Sequence, residues 1–564
     1  MPRFPDDVPT LTHGEVTLRA HRESDLRRIV EFANDPRSTR WVPLPRPYAE
    51  QQAREFLDSV RTSWQDDAGG RQWAIEVDGQ FAGSIGLHHL TATTAELGYG
   101  AHPAIRGKGV MSRAARLVIE HGFDVLGLRT LAWRAAAGNF ASRRVAWANG
   151  FQVDGTWPAM HPTGAGAPDD LWFGHLHHDQ PREPAHRWFV PPMLEGAGIR
   201  LRPWRPDDTP PVGPDAAAQR FAEGMWPEPQ EYTEWHRCRL ERMAGGEGIF
   251  WCIAGAETDR PLGHVQVVRL QVDFTRGSGL LGYWIAPAAR GKGLVQHTLD
   301  ALIPYAFSAR DKGGLGLHRL QAGTDAENPA SQRTLRRAGF RLSATEREVL
   351  AHDDGPPTGA LSFELLASDD RFATRVVPRP VPTLHTDRLT LRPWRQSDRP
   401  RPDQRLDVAS ALYLPAGAQP IAETFDDWLA RRQSLRDSGT VLDWCIADRA
   451  TDAALGSIGI FGIGEGTPTN AEIGYWLHVD ARGRGYVTEA LAATVTHAFL
   501  PTADGGMGLT RLHAGTDLSN IASQQLLERA GFARWGTDRQ AYSRADGTYS
   551  DGAYYELLAS DLTD

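Results

Sequence analysis

The chain contains the same series of sequence blocks three times, and this repeat constrains the fold more than any other feature. The three copies open with VTLRAHRESD, IRLRPWRPDD and LTLRPWRQSD, and their centres read ELGYGAHPAIRGKGV, LLGYWIAPAARGKGL and EIGYWLHVDARGRGY. The period is about 185–190 residues, much longer than the roughly 20–50 residues of a solenoid repeat. A repeat of this length matches a whole domain, so we expect three tandem domains.

Distances inside each copy are fixed, whereas the loops between the blocks differ in length. The glycine of Gly-Tyr precedes the arginine of the Arg-Gly turn by 8 residues in every copy, and that arginine precedes a phenylalanine by 17 residues. A later asparagine precedes a Gly-Phe pair by 11 residues. Fixed elements joined by variable loops are typical of folded domains. The predicted domains span residues 13–180, 193–371 and 384–564, and proline-rich linkers at 181–192 and 372–383 are expected to act as semi-rigid spacers.

Composition and charge exclude several classes of protein. The chain has 564 residues, 41% of them hydrophobic, and its net charge of −9 argues against a nucleic-acid partner. It contains no apolar run of about 18 residues, as a membrane span would need, and its first residues lack the features of a signal peptide. Three cysteines provide neither a disulfide framework nor metal-ligand spacing. We therefore expect a cytoplasmic protein without metal or membrane association, and its oligomeric state stays open.

Hydrophobic periodicity predicts an α+β fold for each copy. The opening segments alternate apolar and polar residues, which favours strands, and residues 53–64 and 424–435 follow an amphipathic helical pattern. After each Arg-Gly turn, apolar residues recur at i, i+4, i+7, i+8 and i+11, which predicts a helix with one buried face. A short strand, a second helix and a Gly-Phe pair close each copy. Each domain is thus predicted to be a mixed, mainly antiparallel sheet flanked by helices.

The Arg-Gly-Lys/Arg-Gly segment of each copy lies between a predicted strand and a predicted helix, where it is able to bind an anion. Its glycines let backbone N–H groups crowd around a phosphate, and the helix adds the positive end of its dipole. The arginine adds charge-assisted hydrogen bonds. The segment matches neither a P-loop nor a dinucleotide fingerprint. A strand–helix turn without a ligand is the alternative, which three copies with identical flanking distances disfavour.

These blocks resemble the GNAT (GCN5-related N-acetyltransferase) family, and most of all its ribosomal-protein N-acetyltransferase branch. The family signature Gln/Arg-x-x-Gly-x-Gly/Ala reads Arg106-x-x-Gly109-x-Met111 in the first copy. In the other copies its last position is Val295 or Val487, so this position departs from Gly/Ala throughout. The resemblance covers nearly the whole chain. It implies three acyl-CoA N-acyltransferase domains that use acetyl-CoA as co-substrate.

The resemblance also implies which residues bind acetyl-CoA. The turn and the start of the helix would hold the diphosphate, the strand before the turn would pair with the pantetheine, and an asparagine would reach the pantetheine arm or the acceptor side. The diphosphate set is Arg106, Gly107, Lys108, Gly109 and Met111; Arg290, Gly291, Lys292, Gly293 and Val295; and Arg482, Gly483, Arg484, Gly485 and Val487. The strand residues are Ala101, Ile285 and Leu477, and the asparagines are Asn139, Asn328 and Asn520.

Acetyl transfer to an amine needs a base, because an ammonium group has no lone pair at neutral pH. Glu96 and Glu472 precede Gly-Tyr on the central strand of the first and third copies, and each is a candidate base that acts directly or through water. An exposed glutamate or a structural ion pair is an equally good interpretation of either residue. The second copy has Leu280 at this position and lacks the candidate.

The departing thiolate of coenzyme A needs a proton or a hydrogen bond. The resemblance implies that a serine three residues after the conserved asparagine supplies it, with helix capping as the alternative role for that serine. The tyrosine that serves as the acid in other relatives is replaced by alanine or leucine in all three copies. The candidate serines are Ser142, Ser331 and Ser523.

The third copy retains the most features, including Glu472, the Arg482 turn, Asn520 and Ser523. We expect all three copies to bind coenzyme A and turnover to be concentrated in the third. The predicted reaction moves an acetyl group to a primary amine, on a protein N-terminus or a small molecule, by direct attack in a ternary complex. The alternative function is a non-catalytic acyl-CoA-binding scaffold or sensor built from degenerate domains. The acceptor stays open, because acceptor loops vary most between the copies.

Overall fold

A computed structural model describes residues 4–42, 44–66, 69–162, 168–210, 221, 225–226, 229–352, 355–372, 375–376, 380–402, 407–415, 417–437, 439–463, 467, 469–543 and 548–562. Three structural units follow one another, and each is built on one eight-stranded sheet. The strand order is the same in all three units. The predicted mixed, mainly antiparallel α+β fold is therefore confirmed.

The described residues of the first unit form eight strands and five helices. Its strands are β1 (Leu11–His13), β2 (Val16–Arg19), β3 (Arg71–Val77), β4 (Gln80–His88), β5 (Thr94–Ala101), β6 (Thr130–Ala136), β7 (Gln152–His161) and β8 (Asp169–His177). Its helices are α1 (Leu26–Asn34), α2 (Pro36–Trp41), α3 (Glu50–Gln65), α4 (Val110–Glu120) and α5 (Phe140–Ala148). Strands β5 and β6 are parallel, and the other neighbours are antiparallel.

The second unit repeats this arrangement, with three helices among its described residues. Its strands are β9 (Leu194–Gly196), β10 (Ile199–Arg202), β11 (Gly248–Gly255), β12 (Pro261–Val268), β13 (Ser278–Ile285), β14 (Arg319–Asp325), β15 (Arg341–His352) and β16 (Gly355–Leu366). Its helices are α6 (Tyr232–Ala244), α7 (Leu294–Phe307) and α8 (Pro329–Arg337). Strands β13 and β14 form its parallel pair.

The third unit has the same sheet, with four helices among its described residues. Its strands are β17 (Leu384–His385), β18 (Leu389–Arg392), β19 (Leu442–Asp448), β20 (Ala454–Phe461), β21 (Asn470–Leu477), β22 (Arg511–Asp517), β23 (Ala533–Ser543) and β24 (Tyr549–Leu558). Its helices are α9 (Val408–Tyr413), α10 (Phe425–Asp437), α11 (Tyr486–Phe499) and α12 (Ile521–Arg529). Strands β21 and β22 are parallel.

Each sheet is covered by the helix that follows the Arg-Gly turn. The predicted apolar face of that helix is buried, as Leu299 on α7 and Leu491 on α11 show with no exposed surface. One tryptophan on the third strand of each sheet lies in the same core and is also fully buried. These tryptophans donate their indole N–H groups to backbone oxygens of the chain segments that enter the units: Trp73 to Pro9, Trp251 to Pro192 and Trp444 to Pro382.

The two parallel strands at the centre of each sheet separate part of the way along. In the first unit they pair from Thr94 and Thr130 to Glu96 and Ala132, and β5 then continues to Ala101 bound only to β4. The pairs β13–β14 and β21–β22 separate in the same way. The backbone beyond this point has one edge without a strand partner. A cleft thus opens between the splayed strands, toward the Arg-Gly turn.

The segment predicted as the first linker packs against both neighbouring units. Phe189 belongs to the second unit's hydrophobic core, and its N–H donates to the carbonyl oxygen of Met243 at 3.0 Å. The indole N–H of Trp147 in the first unit donates to the carbonyl oxygen of His186 at 2.9 Å. The expectation of a spacer is thus corrected to a docked connector. Residues 373–374 and 377–379 of the second predicted linker lie outside the described residues.

Candidate active site

The three Arg-Gly turns have the backbone geometry of an anion-binding turn. Both glycines of every turn have φ between +72° and +76°, where a side chain would strain the backbone. The second glycine is the N-cap residue of the following helix, and without a side chain it caps none of that helix's N–H groups. These N–H groups are therefore available to bind an anion. The capping glycines are Gly109, Gly293 and Gly485.

The arginines of the first and third turns form ion pairs with carboxylates at the starts of helices in their own units. Arg106 donates to Asp35 Oδ2 at 2.6 Å and to Ser38 Oγ at 2.9 Å. Burial favours a higher pKa for Asp35, but the hydrogen bond from Arg106 outweighs it and holds that pKa below its usual range. Arg482 pairs with Asp407 in the same manner. A phosphate would have to compete with these carboxylates for the arginines.

The other predicted diphosphate residues lie in two environments. The middle residues of the turns are exposed, whereas the residues that end the signature pack against the hydrophobic cores. The residues expected to pair with pantetheine lie at the ends of the central strands, and their carbonyl groups accept hydrogen bonds from the turn arginines. The exposed residues are Lys108, Lys292 and Arg484, the packed ones are Met111, Val295 and Val487, and the carbonyl groups belong to Ala101, Ile285 and Leu477.

Each predicted serine forms a hydroxyl pair with a tyrosine that the sequence patterns did not single out. In the third unit the Tyr475 hydroxyl lies 2.9 Å from Ser523 Oγ, and burial raises the pKa of Tyr475 to about 12. The phenol therefore stays protonated at neutral pH. The Gly-Tyr dipeptide, at a fixed distance from the turn in every copy, was the signal that could have identified it. The equivalent pairs are Tyr283 with Ser331 at 2.9 Å and Tyr99 with Ser142 at 3.2 Å.

The asparagines that recur in the three copies cap the helices that carry these serines. Asn520 Oδ1 accepts the backbone N–H of Ser523 at 3.2 Å, and the other two units have the same bond. The capping role proposed as an alternative for the serine thus belongs to the asparagine. The cap fixes the serine in the first turn of its helix, within hydrogen-bond distance of the tyrosine hydroxyl. Asn139 and Asn328 occupy the same cap position in the first and second units.

The two candidate glutamates lie on the last paired residues before the strands separate, but their neighbours differ. Glu96 forms an ion pair with Arg134 of β6. Glu472 is exposed and lies directly opposite His513 of β22. Burial lowers the pKa of His513, and the charge of Glu472 opposes this shift. The second unit has the apolar Leu280 at this level of the sheet.

A tyrosine from the last hairpin approaches the same place in the third unit. A Cβ atom on Gly515 would lie 2.8 Å from the Tyr542 hydroxyl oxygen, so the close approach depends on this glycine. Burial, with the nearby Tyr554 and Glu472, raises the pKa of Tyr542 to about 12. Sequence reasoning missed Tyr542 and His513, because cross-strand neighbours depend on the register of the sheet.

The second unit contains a different polar cluster, at the end of β14. Asp325 Oδ2 accepts hydrogen bonds from Thr358 Oγ1 at 2.6 Å and from His352 Nε2 at 3.0 Å. Asp517 of the third unit accepts a bond from Ser550 in the corresponding place. A hydroxyl group of the last strand bonds this aspartate in both units. We therefore interpret the bond as a structural contact between the last hairpin and the sheet.

The described residues contain no group of three or more His, Cys, Asp or Glu side chains that could hold a metal ion. Among those same residues, no helix combines the length and the apolar character that crossing a membrane requires.

Comparisons with known proteins agree with this geometry. Residues 15–152, 199–341 and 388–533 each match the family model "Acetyltransferase (GNAT) domain". The "Putative ribosomal N-acetyltransferase YdaF" of Bacillus subtilis (strain 168) is 30% identical over 173 residues, which are 29% of this chain and 87% of that protein. Spermidine N(1)-acetyltransferase of Escherichia coli (strain K12) is 29% identical over 142 residues, which are 25% of this chain and 74% of that protein.

Two similar solved structures each cover 30% of this chain and 98% of their own. One is described as a "Probable acetyltransferase", with a TM-score of 0.29 and 28% identity. The other is the ribosomal L7/L12 alpha-N-protein acetyltransferase RimL in complex with coenzyme A, with a TM-score of 0.28 and 18% identity.

The threefold family match extends over most of the chain and coincides with the three splayed sheets. The chain belongs to the GNAT acetyltransferase family. It is an N-acetyltransferase that carries three domains of this family in tandem, as the resemblance of its motifs predicted.

Proposed function

We propose that the protein transfers an acetyl group from acetyl-CoA to a primary amine, and that the third domain carries most of the turnover. One observation supports this choice among the domains: among the described residues, Glu472 has no cation within ion-pair distance, and it faces His513 at the point where the strands separate. In the first domain Arg134 neutralises Glu96. The second domain has Leu280 instead of a glutamate.

The residues present in each domain fit acetyl-CoA. The uncapped N–H groups after the glycine turn would hold the diphosphate, and the unpaired edge of the central strand would hold the pantetheine. Acetyl-CoA supplies the activated thioester when it is bound. We therefore propose that all three domains bind it, with domain boundaries at 13–180, 193–371 and 384–564.

Glu472 would remove a proton from the acceptor ammonium group, directly or through water, which frees the nitrogen lone pair for attack. Ser523 would donate a hydrogen bond to the departing sulfur, while Tyr475, protonated at neutral pH, donates to Ser523 Oγ. Positioning of both substrates in one cleft supplies much of the remaining rate enhancement.

The acceptor is proposed to be a protein N-terminus or a small-molecule amine. The names of two relatives, a ribosomal N-acetyltransferase and a spermidine N(1)-acetyltransferase, support both kinds of acceptor. A second function fits the first two domains, because both keep the turn and the Ser–Tyr pair but lack a free base candidate. These domains would then bind acyl-CoA as a scaffold or sensor. A cytoplasmic location and the absence of a nucleic-acid partner stay predictions.

The test is release of the coenzyme A thiol by the full chain with a panel of amines, including spermidine and short peptides with free N-termini. General-base catalysis contributes roughly 10²–10⁴-fold in rate, so Glu472→Gln should reduce kcat at least about a hundredfold. Glu96→Gln is the matched control and should leave kcat within about twofold. Equal losses in both variants, or full activity of Glu472→Gln, would contradict the proposal. Coenzyme A binding without acetylation of any amine would favour the sensor function.

A further inference from the structure

A cavity of about 910 Å³ lies between the first and second domains, within the range of known small-molecule sites. Its walls come from α5 and the start of β7, from the docked connector, from α6 and the turn after it, and from the loops that precede β13 and β14. None of the turn residues is among its described lining residues. In the second domain it lies at the opposite end of β13 from the turn, about 25 Å along the strand. An occupant would therefore not contact the glycine turn of the second domain.

The lining of this cavity is positively charged, although the chain as a whole has a net charge of −9. Five arginines line it against three carboxylates. All three carboxylates already have ion-pair partners, and the charges of Glu241 and Glu247 only partly offset the effect of burial on the pKa of Arg143. The existing pairs are Asp154 with His175 at 2.7 Å, Glu241 with Arg237 at 2.7 Å and Glu247 with Arg242 at 3.1 Å.

Three of the lining arginines, Arg143, Arg187 and Arg310, come from three different segments. Among the described residues, no carboxylate lies within 4.0 Å of any of their guanidinium groups. Arg187 and Arg310 donate to backbone carbonyl groups at 3.1 and 3.4 Å. Arg143 lies 4.9 Å over the ring of the buried Trp172, and burial lowers its pKa. An anion in the cavity would offset the cost of keeping Arg143 charged.

We propose that this cavity binds a phosphorylated small molecule, which joins the first domain, the connector and the second domain. Guanidinium groups form paired hydrogen bonds with phosphate oxygens. Three guanidinium groups match the charge of a multiply charged anion better than they match that of a single carboxylate. Trp147, half-buried in the wall, offers an apolar surface for the rest of the molecule. Because the three arginines belong to separate segments, occupancy fixes the two domains relative to each other.

The test titrates tripolyphosphate into the full chain after saturation with coenzyme A, which fills the glycine turns. Calorimetry should show one additional site per chain. The double variant Arg143→Gln with Arg310→Gln should weaken this site at least about tenfold, since each arginine contributes charged hydrogen bonds. Arg431→Gln, which changes an exposed arginine of α10 in the third domain, should leave it unchanged. Coenzyme A titration of each variant checks that the fold is intact.

Citrate serves as the carboxylate probe, and binding of citrate without tripolyphosphate would overturn the assignment to a phosphate. Absence of an additional site, or a site that the double variant retains, would also overturn it. If the double variant does not fold, Arg187→Gln decides, because this arginine is exposed and its loss should still weaken tripolyphosphate severalfold. Trypsin cleavage after Arg187 gives a second readout: tripolyphosphate should slow it severalfold in the wild type, and unchanged cleavage would contradict a ligand that covers the connector.

Discussion

The ion pair between Arg106 and Asp35 predicts that the first domain binds coenzyme A more weakly than its turn would allow. Arg106 has to break its ion pair with Asp35, or bond Asp35 and the phosphate at the same time, before it contributes to phosphate binding. Asp35→Asn removes the competing charge. It should keep the fold, because Asp35 also caps α2 through Ser38 and Arg37, and asparagine is an equally good N-cap residue.

The magnitude follows from the exposure of the pair. The side chains of Arg106 and Asp35 are 26% and 17% exposed, between a surface pair worth about 0.2–1 kcal/mol and a buried charged bond worth about 1.5–3 kcal/mol. We therefore take about 1–1.5 kcal/mol, and Asp35→Asn should tighten coenzyme A binding about five- to tenfold.

The assay is calorimetric titration of coenzyme A into full chains that also carry Arg290→Glu and Arg482→Glu, which weaken the other two turns. Asp58→Asn, at an exposed position on α3, is the matched control and should not change the Kd. Unchanged or weaker binding in Asp35→Asn would refute the reasoning, because Arg106 would then not be withheld from the phosphate.

Three further predictions concern acid stability, the hydroxyl pair and the hairpin. Burial lowers the pKa of His264 to about 3, and its Nδ1 accepts the indole N–H of Trp204 at 3.1 Å. Because the unfolded chain protonates near pH 6.5, stability should be complete above that pH and about 2 kcal/mol lower at pH 5. Hydrogen exchange in β11 and β12 measures this loss. The variant His264→Ser, which has the residue found at Ser457 in the third domain, should not lose stability in this way. The same slope of stability against pH in both proteins would count against the argument. Tyr475→Phe should lower kcat about tenfold without changing the KM for acetyl-CoA, measured by thiol release, and an unchanged kcat would exclude a role for the pair. Gly515→Ala should displace Tyr542 and lower the free energy of unfolding in urea by about 1–3 kcal/mol. Gly323→Ala, at the equivalent open position of the second domain, should leave the free energy of unfolding unchanged. Equal effects of the two substitutions would contradict the packing argument.

Much of the fold could be predicted from the sequence, because its signals are local. The left-handed glycines and the apolar face of the helix after the turn each depend on residues within a few positions of one another. Each of these signals occurs in all three copies, which strengthens its interpretation. The positions of the Arg482 turn and of the helix that carries Ser523 could therefore be predicted from the sequence alone.

The partners of the site residues could not be predicted in this way, because they are distant in the chain. Glu96 and Arg134 are 38 residues apart, and Tyr475 and Ser523 are 48 residues apart. The first and third copies have the same candidate base in sequence, and their cross-strand neighbours distinguish them: Arg134 beside Glu96 and His513 opposite Glu472.

The sequence by itself determined three tandem α+β domains and their glycine turns, since periodicity and backbone preference act over one or two turns of chain. The resemblance of its motifs indicated the acetyltransferase family and the candidate serines. Tertiary structure alone decided which glutamate is neutralised, which carboxylates pair with the arginines of the first and third turns, and which arginines line the cavity between domains. Strand register and domain packing bring those groups together, and neither follows from residues that are neighbours in the chain.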